Sequence, residues 1–360
     1  MPEPVFQLAD SFDFSSVGDE AARIFAQHAS GSVLAVFDSS AYLQCGSAVF
    51  CIAVNSIGPG PLHLLIDGEY SRLPFTLQRG QLVTFSSGDA HEASALRLGS
   101  SDNCARLHLT ASDAHFAGGV PTLCLLPTAE SVARCNEVLT GISSSSLPVK
   151  GFAWLLDDTH WSGLSVPTLP LSNRGSDKLS DSLNRQCTPA IVRLYRWLKV
   201  HGVSDNEAAG SDSALSGKDP AVHELLGAGP GLTPSGDDLL AGVLLTLRVL
   251  GRASTAAALW HFIESQCATQ TNIISAAHLR LAAQGQCSDS MLQMLCCLLP
   301  QASFDHVGEN ADRAHVVQSL AERMGATSGW DVLAGVKLVI IAYTESVNRN
   351  KPNASNKTQL

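Results

Sequence analysis

The chain has 360 residues, 45% of them hydrophobic and only 16% charged, with a formal net charge of −10; such a makeup gives a compact body with room for two or three domains, not a disordered chain. The negative charge and only seven lysines exclude nucleic acid and an anionic membrane as main partners, which leaves a small molecule or another protein. Any anionic substrate must then be held locally, by backbone N–H groups or a few arginines.

In chain order, the N-terminal stretch MPEPVFQLADSFDF carries acids and prolines where a secretion signal needs basic residues and an apolar core. No apolar run is long enough to span a bilayer, so a cytoplasmic location is expected. From about Ser32 to Thr110 the apolar residues come in short runs: VLAVF, SAVFCIAV, PLHLLID, RLPFTL, QLVTF and ARLHLT. Gly, Asp and Ser separate them, which is strand spacing. Asp67-Gly68 reads as a hairpin turn between two of the strands. The expectation for residues 1–130 is an antiparallel sheet or small barrel.

The period then changes. AESVARCNEVLTGI is helical, SSSSLP (143–148) is a loop, and residues 177–200 have helical spacing, with Pro189 beginning a second helix or kinking the first. Residues 131–220 thus form a helical connection that ends in a flexible insertion, 201–220, poor in branched and aromatic side chains. Helices are predicted over 239–250, 255–267, 273–283, 289–299, 311–324 and 332–345, which makes 221–347 a helical domain. The last residues, 348–360, lack core formers and read as a disordered tail. The fold class expected is α+β. The ten cysteines include no CxxC pair and are expected to be buried thiols.

The most constrained stretch is GAGPGLTPSGDDLLAG, Gly227 to Gly242. Its second half recurs: SGDDLLAGVLL from Ser235 and SGWDVLAGVKL from Ser328 match at eight of eleven positions, 93 residues apart. Two equivalent helix entrances are predicted, close together and related by an approximate two-fold axis. Ser235 and Ser328 read as N-caps, with Asp238 and Asp331 at N3 turning back on their own helices. That account leaves Gly227, Gly229, Gly231, Thr233 and Asp237 unexplained. Alternating glycines keep backbone N–H groups open at a helix start, where the dipole adds positive charge. The stretch has no Walker lysine, and adjacent acids would oppose a phosphate there unless a metal ion or cationic side chain intervened. Acids beside N–H donors suit a carbamoyl or amide ligand.

With TNIISAAHLRLAAQG from Thr271, SGWDVLAG from Ser328 and IGPGPLHLLID around Gly60, this stretch makes the chain resemble the family of the AllH-type subunit of oxamate carbamoyltransferase. The resemblance implies a β-rich N-terminal part and a helical C-terminal part. It also implies a role in anaerobic allantoin breakdown, in which oxalurate and phosphate yield oxamate and carbamoyl phosphate, and partner subunits, one of them similar to acyl-CoA synthetases.

For that chemistry the backbone from Gly229 to Gly236 could supply donors to a developing negative charge, and Asp237 or Asp238 is the nearest candidate for proton transfer. Gly229, Gly231, Thr233, Ser235, Gly236, Asn272, Ser275, Ser328, Gly329 and Asp331 are the candidate substrate contacts. His223, Arg280 and Lys337 are the basic residues near the motifs. No His/Cys/Asp cluster has zinc spacing, and no cofactor is expected. Two alternatives stay open: a non-catalytic interface subunit, and an amidase using Asp237 and Asp238 on a divalent ion.

Overall fold

The structure, a computed structural model, describes residues 11–86, 94–100, 103–109, 114–116, 118–119, 129–142, 144, 146–161, 178–201, 220, 222–299 and 310–349. Most of the expected flexible insertion and nearly all of the expected tail lie outside the described residues. The chain divides into two compact units, one formed by Met1–Gly119 with Gln286–Asp289, the other by Val120–Gly285 with Ser290–Leu360. A β-rich part followed by helices bears out the α+β class.

In the first unit the strands are β1 (Ser11–Gly18), β2 (Ser30–Val36), β3 (Ser40–Cys45), β4 (Ala48–Val54), β5 (His63–Ile66), β6 (Leu82–Ser86), β7 (Ser94–Ser100), β8 (Asn103–Leu109) and β9 (Ala114–Phe116). They form one sheet in the order β5-β4-β3-β2-β6-β7-β8-β1-β9, and β1 also pairs with β5, so the sheet curls back on itself. A bulge between Phe14 and Ser16 lets β1 serve both neighbours, β8 through Ser11–Asp13 and β5 from Phe14 onward. The sheet is mixed where an antiparallel one was expected, because β4 and β5 run parallel, as β1 does with β8 and β9. Eight residues separate β4 from β5, enough for the crossover that parallel neighbours require.

Three local readings are corrected. Asp67-Gly68 joins no hairpin, since β5 pairs with β4 and β1 and not with the next strand. The two-residue turn sits at Gly46-Ser47, where Gly46 has φ +60 and Cys45 faces Ala48. RLPFTL is not a strand, although its Phe75 and Leu77 are buried. The sequence reading also missed β1 and the helix after it, α1 (Asp19–Gln27). Ile24 and Phe25 of α1 are buried, and the Phe85 ring stands 5.0 Å from Phe25 and 5.9 Å from Phe50. In the IGPGPLHLLID stretch the Pro61 carbonyl accepts from Ala21 in the first turn of α1, and His63 Nδ1 lies 2.9 Å from the Gly58 carbonyl.

The second unit contains α2 (Ala129–Thr140), α3 (Lys178–His201), α4 (Ser235–Val249), α5 (Ala253–Gln270), α6 (Ile273–Ala283), α7 (Asp289–Leu298, which begins on the last residue of the first unit), α8 (Asn310–Arg323) and α9 (Ser328–Arg349). A single helix, α3, runs through Pro189. Every residue of α4 except Arg248 is buried, as is nearly all of α9 from Trp330 to Ile340. An all-apolar helix of this kind belongs at the centre of its domain. Among the described residues no helix is long and apolar enough to cross a membrane, and no disulfide occurs: six of the eight described cysteines are buried, with Cys296 and Cys297 partly so.

Candidate functional site

The site is built where α4 meets α9. A Cβ on Gly242 would lie 2.2 Å from the Val332 carbonyl oxygen, and a Cβ on Gly335 would lie 2.2 Å from the Leu239 carbonyl oxygen. Gly242 and Gly335 are equivalent in the repeat, and so are Leu239 and Val332; the reciprocity is what a two-fold relation produces. The helix starts are adjacent as predicted, with Thr233 Oγ1 and Ser328 Oγ 3.1 Å apart.

The capping reading is corrected. Pro234, not Ser235, occupies the N-cap of α4, with no side-chain cap bond. Instead of turning back, each carboxylate faces the serine of the opposite helix: Ser328 and Thr233 bond the Asp238 carboxyl, and Ser235 and Thr327 bond that of Asp331. Asp331 Oδ1 also accepts from the Phe152 N–H at 2.5 Å. Crowding explains the preference. The first-turn N–H groups of α4 are already taken, since Gly236 N bonds the Ala228 carbonyl and Asp237 N and Asp238 N bond that of Pro234.

Asp237 has a different task. Its Oδ1 accepts from Gly227 N at 2.8 Å, and its Oδ2 accepts from Ser275 Oγ at 2.6 Å and from Thr271 Oγ1. Asn272 caps α6 by accepting from Ile274 N and Ser275 N, and its side-chain N–H donates to the Leu232 carbonyl at 2.8 Å. Asp237, Thr271, Asn272 and Ser275 together lash the glycine-rich loop to the start of α6. The view that folding can spare Asp237 is therefore overturned: its carboxyl is 1% exposed and has three protein donors.

The loop itself keeps its donors open. Gly227, Gly229 and Gly231 have φ of +71, +113 and +107, conformations that side chains strain. The backbone N–H groups of Gly229, Gly231, Leu232 and Thr233 make no hydrogen bond among the described residues, and Pro230 and Gly231 are exposed. Gly236 is glycine for space, since a Cβ would lie 1.9 Å from the Leu225 carbonyl oxygen; Gly329 likewise backs onto the Ala321 carbonyl.

Burial governs the acids. It raises Asp237 above the usual carboxylate range, against the pull of Ser275, Thr271 and Gly227. It carries Asp238 well above that range, helped by the neighbouring Asp331 charge and opposed by the Ser328 and Thr233 hydroxyls. Asp331 is pushed up to about 7 by burial, against the Phe152 N–H and the Ser235 and Thr327 hydroxyls. Two such acids side by side can hold or pass a proton near neutral pH.

None of the three basic candidates is placed to pair with these acids. Lys337 is fully buried, with Nζ on the Leu156 carbonyl at 2.8 Å and on Asp158. His223 lies beside Glu224, 3.5 Å from its Oε1, and Arg280 sits on α6 in its last turn. Sequence reasoning missed Thr271, Thr327 and Phe152. The two threonines each precede a motif residue and could have been included; Phe152 acts through its backbone from 179 residues away, where side-chain identity carries no signal.

Fold and site together define the class: an α+β protein whose helical unit clamps a glycine-rich loop onto a pseudo-symmetric pair of helices carrying buried acids. The family whose model matches residues 225–340 is described as oxamate carbamoyltransferase subunit AllH. That span, about a third of the chain, holds the loop, the start of α6 and the start of α9, and it bears out the resemblance: the chain belongs to the AllH family through this region. No solved structure matches the chain. A family of subunits implies other chains as partners.

Proposed function

We propose that this chain is a carbamoyltransferase subunit whose helical unit binds a small carbamoyl or amide substrate on the 227–236 loop. The reaction it would serve is exchange between oxalurate with phosphate and oxamate with carbamoyl phosphate, in allantoin-type nitrogen breakdown. An acyl-CoA-synthetase-like chain would be among its partners. The observation that carries this reading is the row of unpaired N–H groups from Gly229 to Thr233 directly beside Asp238. The N–H row would hold the carbonyl oxygen as it gains charge. Asp238, kept protonatable near neutral pH by burial and by Asp331, would exchange a proton with the substrate nitrogen. Asp237, Asn272 and Ser275 would position the loop, while Ser235, Gly236, Ser328, Gly329 and Asp331 shape the floor beneath it.

The test combines the purified chain with its partner subunits and follows carbamoyl phosphate formed from oxalurate and phosphate. Thr233→Val keeps the loop's shape and removes the hydroxyl shared by Asp238 and Ser328; turnover should fall by about tenfold or more, the scale of one lost transition-state bond, at an unchanged melting temperature. Full turnover in Thr233→Val would place the chemistry elsewhere, in favour of an interface subunit.

A further inference from the structure

Asp238 and Asp331 are 5% and 0% exposed, and the Oδ2 atom of each is buried with no hydrogen-bond partner. Leaving a buried carboxylate oxygen unpaired is costly, and here it happens twice, at two-fold-related positions. No ion pair among the described residues includes either acid. The donors gathered around them are all hard oxygens: two carboxyls and the hydroxyls of Ser235, Ser328, Thr233 and Thr327.

We propose that Asp238 and Asp331, with these four hydroxyls, bind one divalent hard cation of the Mg2+ or Ca2+ type on the axis between the starts of α4 and α9. Two carboxylates balance the ion's charge, and the hydroxyls bring the oxygen donors to six, a number both ions accept. Zinc and copper are disfavoured, since among the described residues no three His, Cys, Asp or Glu side chains cluster. The site stands on geometry, whatever reaction the chain serves. If the transferase reading holds, the ion also supplies the positive charge that an anionic substrate needs beside two acids, a charge no described basic residue brings there.

The ion must displace the protons that burial keeps on the pair, so binding releases protons and strengthens as pH rises through about 7 for Asp331. Isothermal titration of the chain alone, stripped with chelator, with Mg2+ and separately with Ca2+ at pH 6, 7 and 8 reads this directly. Saturable binding of at least one ion is expected, with one site per chain and affinity rising roughly tenfold per pH unit for each proton displaced. Asp331→Asn and the milder Ser235→Ala should weaken it, the first by at least about tenfold, the loss seen even for outer-shell changes at metal sites. No binding of either ion, pH-independent binding, or binding untouched by both variants would overturn the proposal. Each outcome is independent of turnover, so a failure of the transferase reading leaves the ion site to be judged on its own.

Discussion

Asp237 and Asp331 are both buried, yet substitution should reveal opposite roles. Asp237→Ala strips acceptors from Gly227 N, Thr271 Oγ1 and Ser275 Oγ and should cost about 1–3 kcal/mol for unsatisfied buried donors, at acid and neutral pH alike. Asp331 holds its proton up to about pH 7 when folded, against a reference value of 3.8. Between those values the folded chain binds more protons than the unfolded one. Stability is therefore fullest below about pH 4 and drains as pH rises toward 7. The ceiling on this loss is about 4 kcal/mol at 1.36 kcal/mol per unit. Urea unfolding in metal-free buffer at pH 5 and pH 8 should show the wild type weaker at pH 8 and Asp331→Asn with most of that slope removed. A slope unchanged in the variant would mean that another group titrates.

Among the elements, α4 and α9 are held at backbone contact by Gly242 and Gly335. Either glycine replaced by alanine must push a carbonyl of the other helix aside, so Gly242→Ala and Gly335→Ala should each destabilise by about 1–3 kcal/mol, the usual cost of overpacking. Matching losses in melting experiments would confirm the two-fold relation; a loss at only one site would refute it. This pair was legible in advance because both its partners are written into the sequence as one repeated phrase. The helices from α4 to α9 were legible for a related reason, since their apolar spacing is local, and α6 falls on Ile273–Ala283 as expected. The strand pairing was not, because β1 finds β5, β8 and β9 through backbone bonds spanning most of the unit. The capping error came from the same limit: Ser235 followed by Asp238 looks like a local cap, and only the opposite helix reveals where the carboxyl goes. The glycine loop was legible as open backbone; its lashing by Asp237 was not, since that needs α6 beside it.

At the scale of the molecule, the first unit is completed by four residues from far along the chain. Gln286 bridges Gly119, Cys287 N donates to the Gly118 carbonyl at 2.8 Å, and Asp289 N donates to the Pro59 carbonyl at 2.9 Å. Asp289 is also the first residue of α7, a position that tolerates proline. Asp289→Pro thus deletes the bond to Pro59 while suiting the helix. It should lower stability by about 1 kcal/mol and speed hydrogen exchange around Gly58–His63, with α4 and α9 unchanged; protection left intact at Gly58–His63 would show the bond to be dispensable. The arrangement also sets an order of events during synthesis. When residue 119 leaves the ribosome, the segment that finishes its unit is still roughly 170 residues from being made, and at about 5–20 residues per second that is a wait on the order of ten seconds. For that interval the nascent sheet carries an open edge, and the helical unit is being translated before the sheet it interrupts can close.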